Sequence, residues 1–285
     1  MRELIAVLLA CVASSLYALS AAMQALEARE APSSSALRAS LLSGLVRRRV
    51  WLIGGLVGIV GWGLQALALA LASISLVQPA LGLGLIVLLV LGTRLLHETV
   101  GPREIAGSVA IAGAVSVLGW AAPSETGSFT TGGTWAVGVA LVVVAALPYL
   151  LRAADRVGGL VTSVAAGLGW AWLGLCTALV DASLADRRYA VALAWGVGVA
   201  IAAWSALLSE QTALQVWPAT RAIPVAFGLE MAVPAAVAPF VTHHGFGPLY
   251  GVPFVLALAV ACAGAVLLGS SRSVARAAVG PLTAS

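Results

Sequence analysis

Long apolar runs separated by short polar breaks govern the chain. Such runs fall near 4–22, 50–72, 76–96, 105–122, 135–151, 160–180, 190–209, 217–240 and 248–269. Each is close to the ~20 residues that an α-helix needs to cross a bilayer, so the pattern predicts nine membrane-spanning helices. The first run follows Arg2 and resembles a secretory signal at its start. It is long for a signal's apolar region and polytopic sequence follows, so it reads as the first span.

Residues 25–49 break the pattern with Glu27, Arg29, Glu30, Arg38, several serines and Arg47-Arg48-Arg49. Hydropathy alone reads a loop there. Charge bookkeeping instead reads 32–48 as a short polar tenth helix, shielded from lipid by its neighbours. With it, Arg2, Arg47, Arg48, Arg49, Arg94, Arg103, Arg152, Arg156, Arg272 and Arg276 mark cytoplasmic helix ends, and Arg29, Arg187 and Arg188 mark outer ones. The positive-inside rule then favours ten helices with both termini cytoplasmic. The expected fold is all-α, a polytopic protein of the plasma membrane.

Composition removes the alternatives. Of 285 residues, 61% are hydrophobic and only 9% charged, against ~25% charged in soluble domains. A soluble globular protein, a disordered chain and a disulfide-stapled secreted domain are all excluded. The net charge of +4 rests on arginine beside spans, which sets topology, so no nucleic-acid partner is expected. Cys11, Cys176 and Cys262 are too widely spaced for a local metal motif and read as small buried hydrophobes. No cofactor is expected.

An internal repeat organises the spans. Leu76-Val77-Gln78-Pro79-Ala80 resembles Gln215-Val216-Trp217-Pro218-Ala219, each read as opening a helix after a tight turn. Gly101-Pro102 recurs as Gly247-Pro248, and Gly113-Ala114-Val115 as Gly264-Ala265-Val266. Ala13-Ser14-Ser15-Leu16-Tyr17 faces Ala145-Ala146-Leu147-Pro148-Tyr149 in the opening helices. The halves are 1–122 and 135–269, five helices each, joined by an extracytoplasmic linker at 123–134 and followed by a cytoplasmic tail at 270–285. An odd number of spans per half inverts the second, an architecture of many secondary transporters.

The stretch Leu95-Leu96-His97-Glu98, then Gly101-Pro102-Arg103-Glu104-Ile105-Ala106-Gly107 and Gly113-Ala114-Val115, resembles the end of an EamA-type repeat. With Gln78-Pro79, the chain resembles the drug/metabolite transporter superfamily over essentially its whole length. Leu16-Tyr17-Ala18 through Met23-Gln24, followed by Gly61-Trp62-Gly63-Leu64-Gln65-Ala66-Leu67, is similar to the bacterial branch near NIPA-like magnesium transporters. The resemblance implies export of a metabolite or drug-like solute, and the NIPA-like branch implies magnesium instead. The second repeat departs from the pattern, with His243-His244-Gly245 where a Glu is expected.

Polar residues inside apolar spans are the candidates for chemistry, since each costs roughly 2.5–3.5 kcal/mol at mid-helix. Glu230 is the deepest, about 20 Å along the ninth helix from Trp217, and is able to titrate or to take up a cation. A structural carboxyl is the bland alternative. Arg221 precedes it by ~900° of helix rotation, so the two face opposite ways. The turn at Pro218 brings Arg221 toward Glu210 as a structural hairpin pair, or else Arg221 is a substrate-binding residue that holds an anionic group of the solute or gates the inner mouth. Arg38 raises the same question in the other half, or is a snorkelling surface residue. Pro218, Pro224, Pro234 and Pro239 predict a kinked ninth helix lining the path. Tyr17, Trp62, Gln65 and Trp204 are candidate lining groups around an apolar cavity. Trp51, Trp120, Trp135 and Trp217 read as aromatic-belt residues.

No enzyme motif occurs, and His243-His244 without a nearby carboxylate makes a weak metal site. The expected function is secondary transport of a small-molecule solute across the lipid bilayer by alternating access, with protons as coupling ions through Glu230. A single deep carboxyl argues against magnesium, which is usually held by carboxylates. A non-transporting scaffold subunit and a flippase for lipid-linked substrates are the rivals, and a homodimer stays open.

Overall fold

A computed structural model gives the fold of residues 1–121, 129–242 and 251–269, which are the residues described below. Among them the chain forms ten α-helices and no β-strand: α1 (Arg2–Arg29), α2 (Ala39–Leu45), α3 (Arg49–Leu71), α4 (Ile74–Arg94), α5 (Pro102–Ala121), α6 (Thr131–Ala153), α7 (Gly159–Ala185), α8 (Tyr189–Val216), α9 (Ala219–Val241) and α10 (Val252–Gly269). Eight of these are long and apolar enough to cross a membrane, namely α1, α3, α4 from Leu76, and α6 to α10. Helices satisfy their own backbone groups, which lipid cannot do for them. The chain is thus a polytopic α-helical membrane protein. The other long helix, α5, is 20 residues and carries Arg103 and Glu104 in its first turn.

Glycines set how closely the helices pass. Gly54 meets Met23 and Gln24, Gly58 meets Ser20, and Gly61 meets Ala13 and Leu16, so α3 runs antiparallel to α1. A Cβ on Gly58 would stand 2.9 Å from Ser20 Oγ, so a larger residue there would push that hydroxyl aside. Val77, Ala80 and Leu81 cluster with Ala10 and Ala13, and Leu88 with Ala18 and Ala21, so α4 returns parallel to α1, with Gly84 against Ser14 between them. We call the end of the bundle holding Met1 the upper end and that holding Arg29 the lower end.

This geometry corrects the reading of 32–48 as a tenth crossing. Ser33–Ser35 form a 3₁₀ turn and α2 has seven residues, a length of about 10 Å against a hydrocarbon core of ~30 Å. The segment is a strap across the lower end. It buries Leu37, Leu41, Leu42 and Leu45. The Leu37 N–H donates to Thr212 Oγ1 at 3.0 Å, and Gln215 Nε2 donates to the carbonyls of Ala31 and Pro32 at 2.9 Å each. Arg48 bonds Glu27 and Glu30 at 2.8 Å each, and these carboxylates raise its pKa.

Met1 and Gly269 therefore lie at opposite ends of the bundle, where ten crossings would set them together. Arg2 moves to the upper end with Arg187 and Arg188, and Arg29 joins Arg38, Arg47, Arg48, Arg49, Arg94, Arg103, Arg152 and Arg156 at the lower. Removing one crossing exchanges those two arginines between the ends and takes Arg38 out of a span to the lower end. The distribution is one-sided either way, which is why charge counting could not separate nine crossings from ten.

Other expectations change in detail. Gln78 and Pro79 lie inside α4, whose preceding corner is Ala72–Ser73, whereas Pro218 does stand at the N-cap of α9. Trp217 is 6% exposed and its ring covers Gly159, and Trp51 donates a hydrogen bond into the bundle. Neither is a belt residue. Trp135, 74% exposed near the upper end, fits that role. The side chain of Trp120, the segments 122–128 and 243–250 with His243, His244 and Gly247-Pro248, and the tail with Arg272 and Arg276 lie outside the described residues.

The long helices pack in two sets. α1 packs on α3 and α4, and α7 packs on α8 and α9. Gly167 lies against the Ala226 carbonyl and Gly169 against the Ala206 backbone, so α7 sits deep in its set. The sets meet where α5 crosses α10 backbone to backbone; a Cβ on Gly264 would lie 3.0 Å from the Gly107 carbonyl oxygen. Ala22, Ala25, Ile111, Val115, Leu214 and Val225 form the core between them.

Candidate functional site

Two polar regions interrupt this apolar packing. The first is a seam between α1, α3, α7, α8 and α9. Tyr17, Ser20 and Gln24 repeat at steps of three and four along α1, which places them on one face. The Tyr17 hydroxyl donates to Gln65 Oε1 on α3 at 2.7 Å. Below it, Trp51 Nε1 donates to Gln211 Oε1 at 2.9 Å, Gln211 Nε2 donates to Gln24 Oε1 at 2.7 Å, and Gln24 Nε2 donates to Ser20 Oγ at 3.0 Å. This amide ladder ties α1 and α3 to α8. Such networks hold firmly in a low-dielectric interior when each member is paired.

Two carboxyls face the seam. Glu210 near the end of α8 accepts a hydrogen bond from Trp170 Nε1 on α7 at 2.5 Å. Glu230 on α9 is half-buried and lies within electrostatic reach of both Tyr17 and Glu210. Among the described residues Glu230 has no hydrogen-bond partner, and neither carboxyl has a basic side chain paired with it.

The second region is a charged corner at the lower end, around the first turn of α9. Pro218 is the N-cap and supplies no side-chain cap, so the first amides of α9 need acceptors from elsewhere. Glu98 in the α4–α5 loop provides them. Its carboxylate accepts from Ala219 N at 2.7 Å, Thr220 N at 3.0 Å and Thr220 Oγ1 at 2.5 Å, and it pairs with Arg29. An anion at a helix N-terminus also meets the positive end of its dipole. Glu104, 4% exposed, takes Arg221 by Nε at 3.0 Å and Nη2 at 2.7 Å. It reaches back to the Gly101 N–H at 2.8 Å, the Glu half of a capping box. Arg221 is itself 4% exposed, and its Nη1 has no partner among the described residues.

Of the sequence-derived candidates, Tyr17, Gln65 and Glu230 come together in the seam. Arg221 and Glu230 do face opposite ways. The expected Arg221–Glu210 pair is replaced: Arg221 pairs with Glu104, because α9 turns that face to α5, and Glu210 turns to Trp170. Trp62 is 66% exposed on the outer surface of α3, so it does not line the seam. Trp204, 42% exposed, donates to the Tyr149 hydroxyl at 3.1 Å over a separate shallow groove of about 380 Å³ between α6 and α8. Arg38 is exposed at the N-cap of α2 and forms no ion pair among those found. Gln24, Gln211, Trp170, Glu98 and Glu104 were missed as site residues. The i, i+3, i+7 placing of Tyr17, Ser20 and Gln24 was the available signal for one of them.

No protein-family model, curated protein or solved structure matches this chain.

Proposed function

We propose that the chain is a secondary transporter that carries a small, positively charged metabolite or drug-like solute across the membrane along the seam, in exchange for protons. The observation that carries this reading is Glu230, a carboxyl inside the bundle with no hydrogen-bond or ion-pair partner among the described residues. An intramembrane carboxyl is costly and marks an ion or substrate path more often than a structural role. With Glu210 close by and no base paired to either, charge balance on the seam falls to protons or to a cationic solute. Tyr17 and Trp170 add aromatic faces suited to a cation.

The packing supports inverted halves of four helices rather than five. α1, α3, α4 and α5 repeat as α7, α8, α9 and α10, with α6 joining them. α1 is to α3 and α4 what α7 is to α8 and α9, yet α1 runs downward and α7 upward. The recurrence of Gly113-Ala114-Val115 in Gly264-Ala265-Val266 fits the same pairing of α5 with α10. The arginine-rich lower end is then the cytoplasmic one.

Proteoliposome uptake with an imposed pH gradient tests the function. A panel of organic cations should include one whose gradient-driven flux falls by about 100-fold in Glu230→Gln, as loss of an essential proton-carrying group does. Full flux in that variant, or no solute moving in the wild type, defeats the proposal.

A further inference from the structure

We infer that the corner between α2 and α3 binds an anionic phospholipid of the leaflet at the lower end. Arg47 and Arg49 take its phosphate, and one acyl chain lies along the outer stripe of α3. The inference goes beyond the transport reading and does not depend on it.

The three consecutive arginines at this corner are used in two ways. Arg48 is turned to α1, where Glu27 and Glu30 each accept from its Nη1 at 2.8 Å. That pairing fixes the corner, in which Arg47 follows the end of α2 and Arg49 opens α3. Arg47 and Arg49 are exposed, and neither pairs with an acid among the described residues. Of the other acids at the lower end, Glu98 is taken by Arg29 and Glu104 by Arg221, and Asp155 lies between α6 and α7. Residues 270–285 add Arg272 and Arg276 and no acidic side chain. The charge of Arg47 and Arg49 is left for an anion from outside the fold.

The kind of anion follows from α3. Leu52, Ile53, Leu56 and Val60 stand three, four, seven and eleven residues after Arg49, which puts all five on one face of the helix. All five are exposed. Gly54, Gly58 and Gly61 occupy the opposite face and pack on α1. Arg49 therefore stands at the foot of an apolar stripe that looks out to lipid. From Arg49 to Val60 the helix rises about 16 Å, close to half of the ~30 Å hydrocarbon core and so to the depth of one leaflet.

A lipid with a chain on that stripe has its phosphate at the level of Arg49, with Arg47 two residues away in the chain. The planar guanidinium fork matches two phosphate oxygens. Val46 and Val50, exposed next to the two arginines, carry the apolar surface down to the headgroup level. A free phosphate would use the arginines and leave the stripe unused, whereas a phospholipid uses both. An anionic headgroup fits better than a zwitterionic one, whose ammonium would add positive charge to a corner already rich in it.

Native mass spectrometry of the full chain in detergent tests the site, with phosphatidylglycerol and phosphatidylcholine of identical acyl chains. Wild type should bind the first more tightly. An arginine facing an anionic surface contributes about fivefold in affinity, so Arg47→Gln with Arg49→Gln should weaken phosphatidylglycerol about 25-fold. If that variant does not purify, Arg49→Gln alone decides, at about fivefold. Arg152→Gln with Arg156→Gln removes the same charge from another exposed corner of the lower end and should leave the affinity nearly unchanged. Equal weakening by the two double variants would mean that the charge of the whole end attracts lipid, and it overturns the site. Equal binding of the two lipids by wild type does the same. Glycerol phosphate, the headgroup without its chains, should not displace the lipid at equal concentration, and displacement overturns the phospholipid as occupant. None of these measurements needs a transported solute, so each outcome stands apart from the fate of the transport reading.

Discussion

At the first turn of α9 Arg221 is met by Glu104 and the helix amides by Glu98, whereas nine residues further along Glu230 meets no such partner. Both places put charge inside an apolar bundle. At the first, Glu98, Glu104 and Arg221 are each bound across the interface between the two sets of helices, so the corner acts as structure. At the second, the missing partner has to come from outside the fold. A buried charge met by an opposite charge fastens a protein, and one left unmet is, on the transport reading proposed above, available for traffic.

Substitutions separate the two. The largest loss of stability should follow Arg221→Met, which strands Glu104 in the interior and costs about 3–5 kcal/mol. The measurement is thermal unfolding in detergent, and adding Glu104→Gln should recover much of the lost melting temperature. If the single and double variants melt alike, the pair is not what holds the corner. Next comes Gly264→Ala, whose Cβ would stand 2.9 Å from Ile111 Cγ1 and 3.0 Å from the Gly107 carbonyl oxygen. Overpacking of this kind costs about 1–3 kcal/mol, and a melting point equal to wild type would mean that the α5–α10 crossing yields freely. Tyr17→Phe removes one hydrogen bond to Gln65, worth about 0.5–1.5 kcal/mol. Glu230→Gln should leave the melting temperature nearly where it was, because no bond is lost, while gradient-driven flux collapses. A variant at Glu230 that unfolds as readily as one at Arg221 would erase the contrast between the two sites.

The long helices were legible because lipid imposes one simple demand, a run of apolar residues long enough to cross. The strap was not. Residues 32–48 are too polar to read as a span, and the arginines stay one-sided with or without it, so only the packing of Gly54, Gly58 and Gly61 against α1 shows the chain turning back. Within the site, Glu230 stood out as a lone acid in an apolar run, and Tyr17 and Gln65 as polar groups within spans. Glu104 did not, because it reads as one more charge at a helix end. Its partner Arg221 lies 117 residues away in the chain, and Gln24 and Gln211 are 187 apart. Local pattern cannot pair residues so distant, and it offered Arg221 the nearer Glu210 instead.

The strap has a consequence for anyone who rebuilds this protein. Since the chain turns back between α1 and α3, its first residue and the end of α10 point to opposite sides of the bundle. A gene fusion that joins the end of α10 in one copy to Met1 of the next would therefore need a linker that runs from one end of the bundle to the other. Labels at Met1 and at Gly269 would likewise mark opposite ends of the bundle.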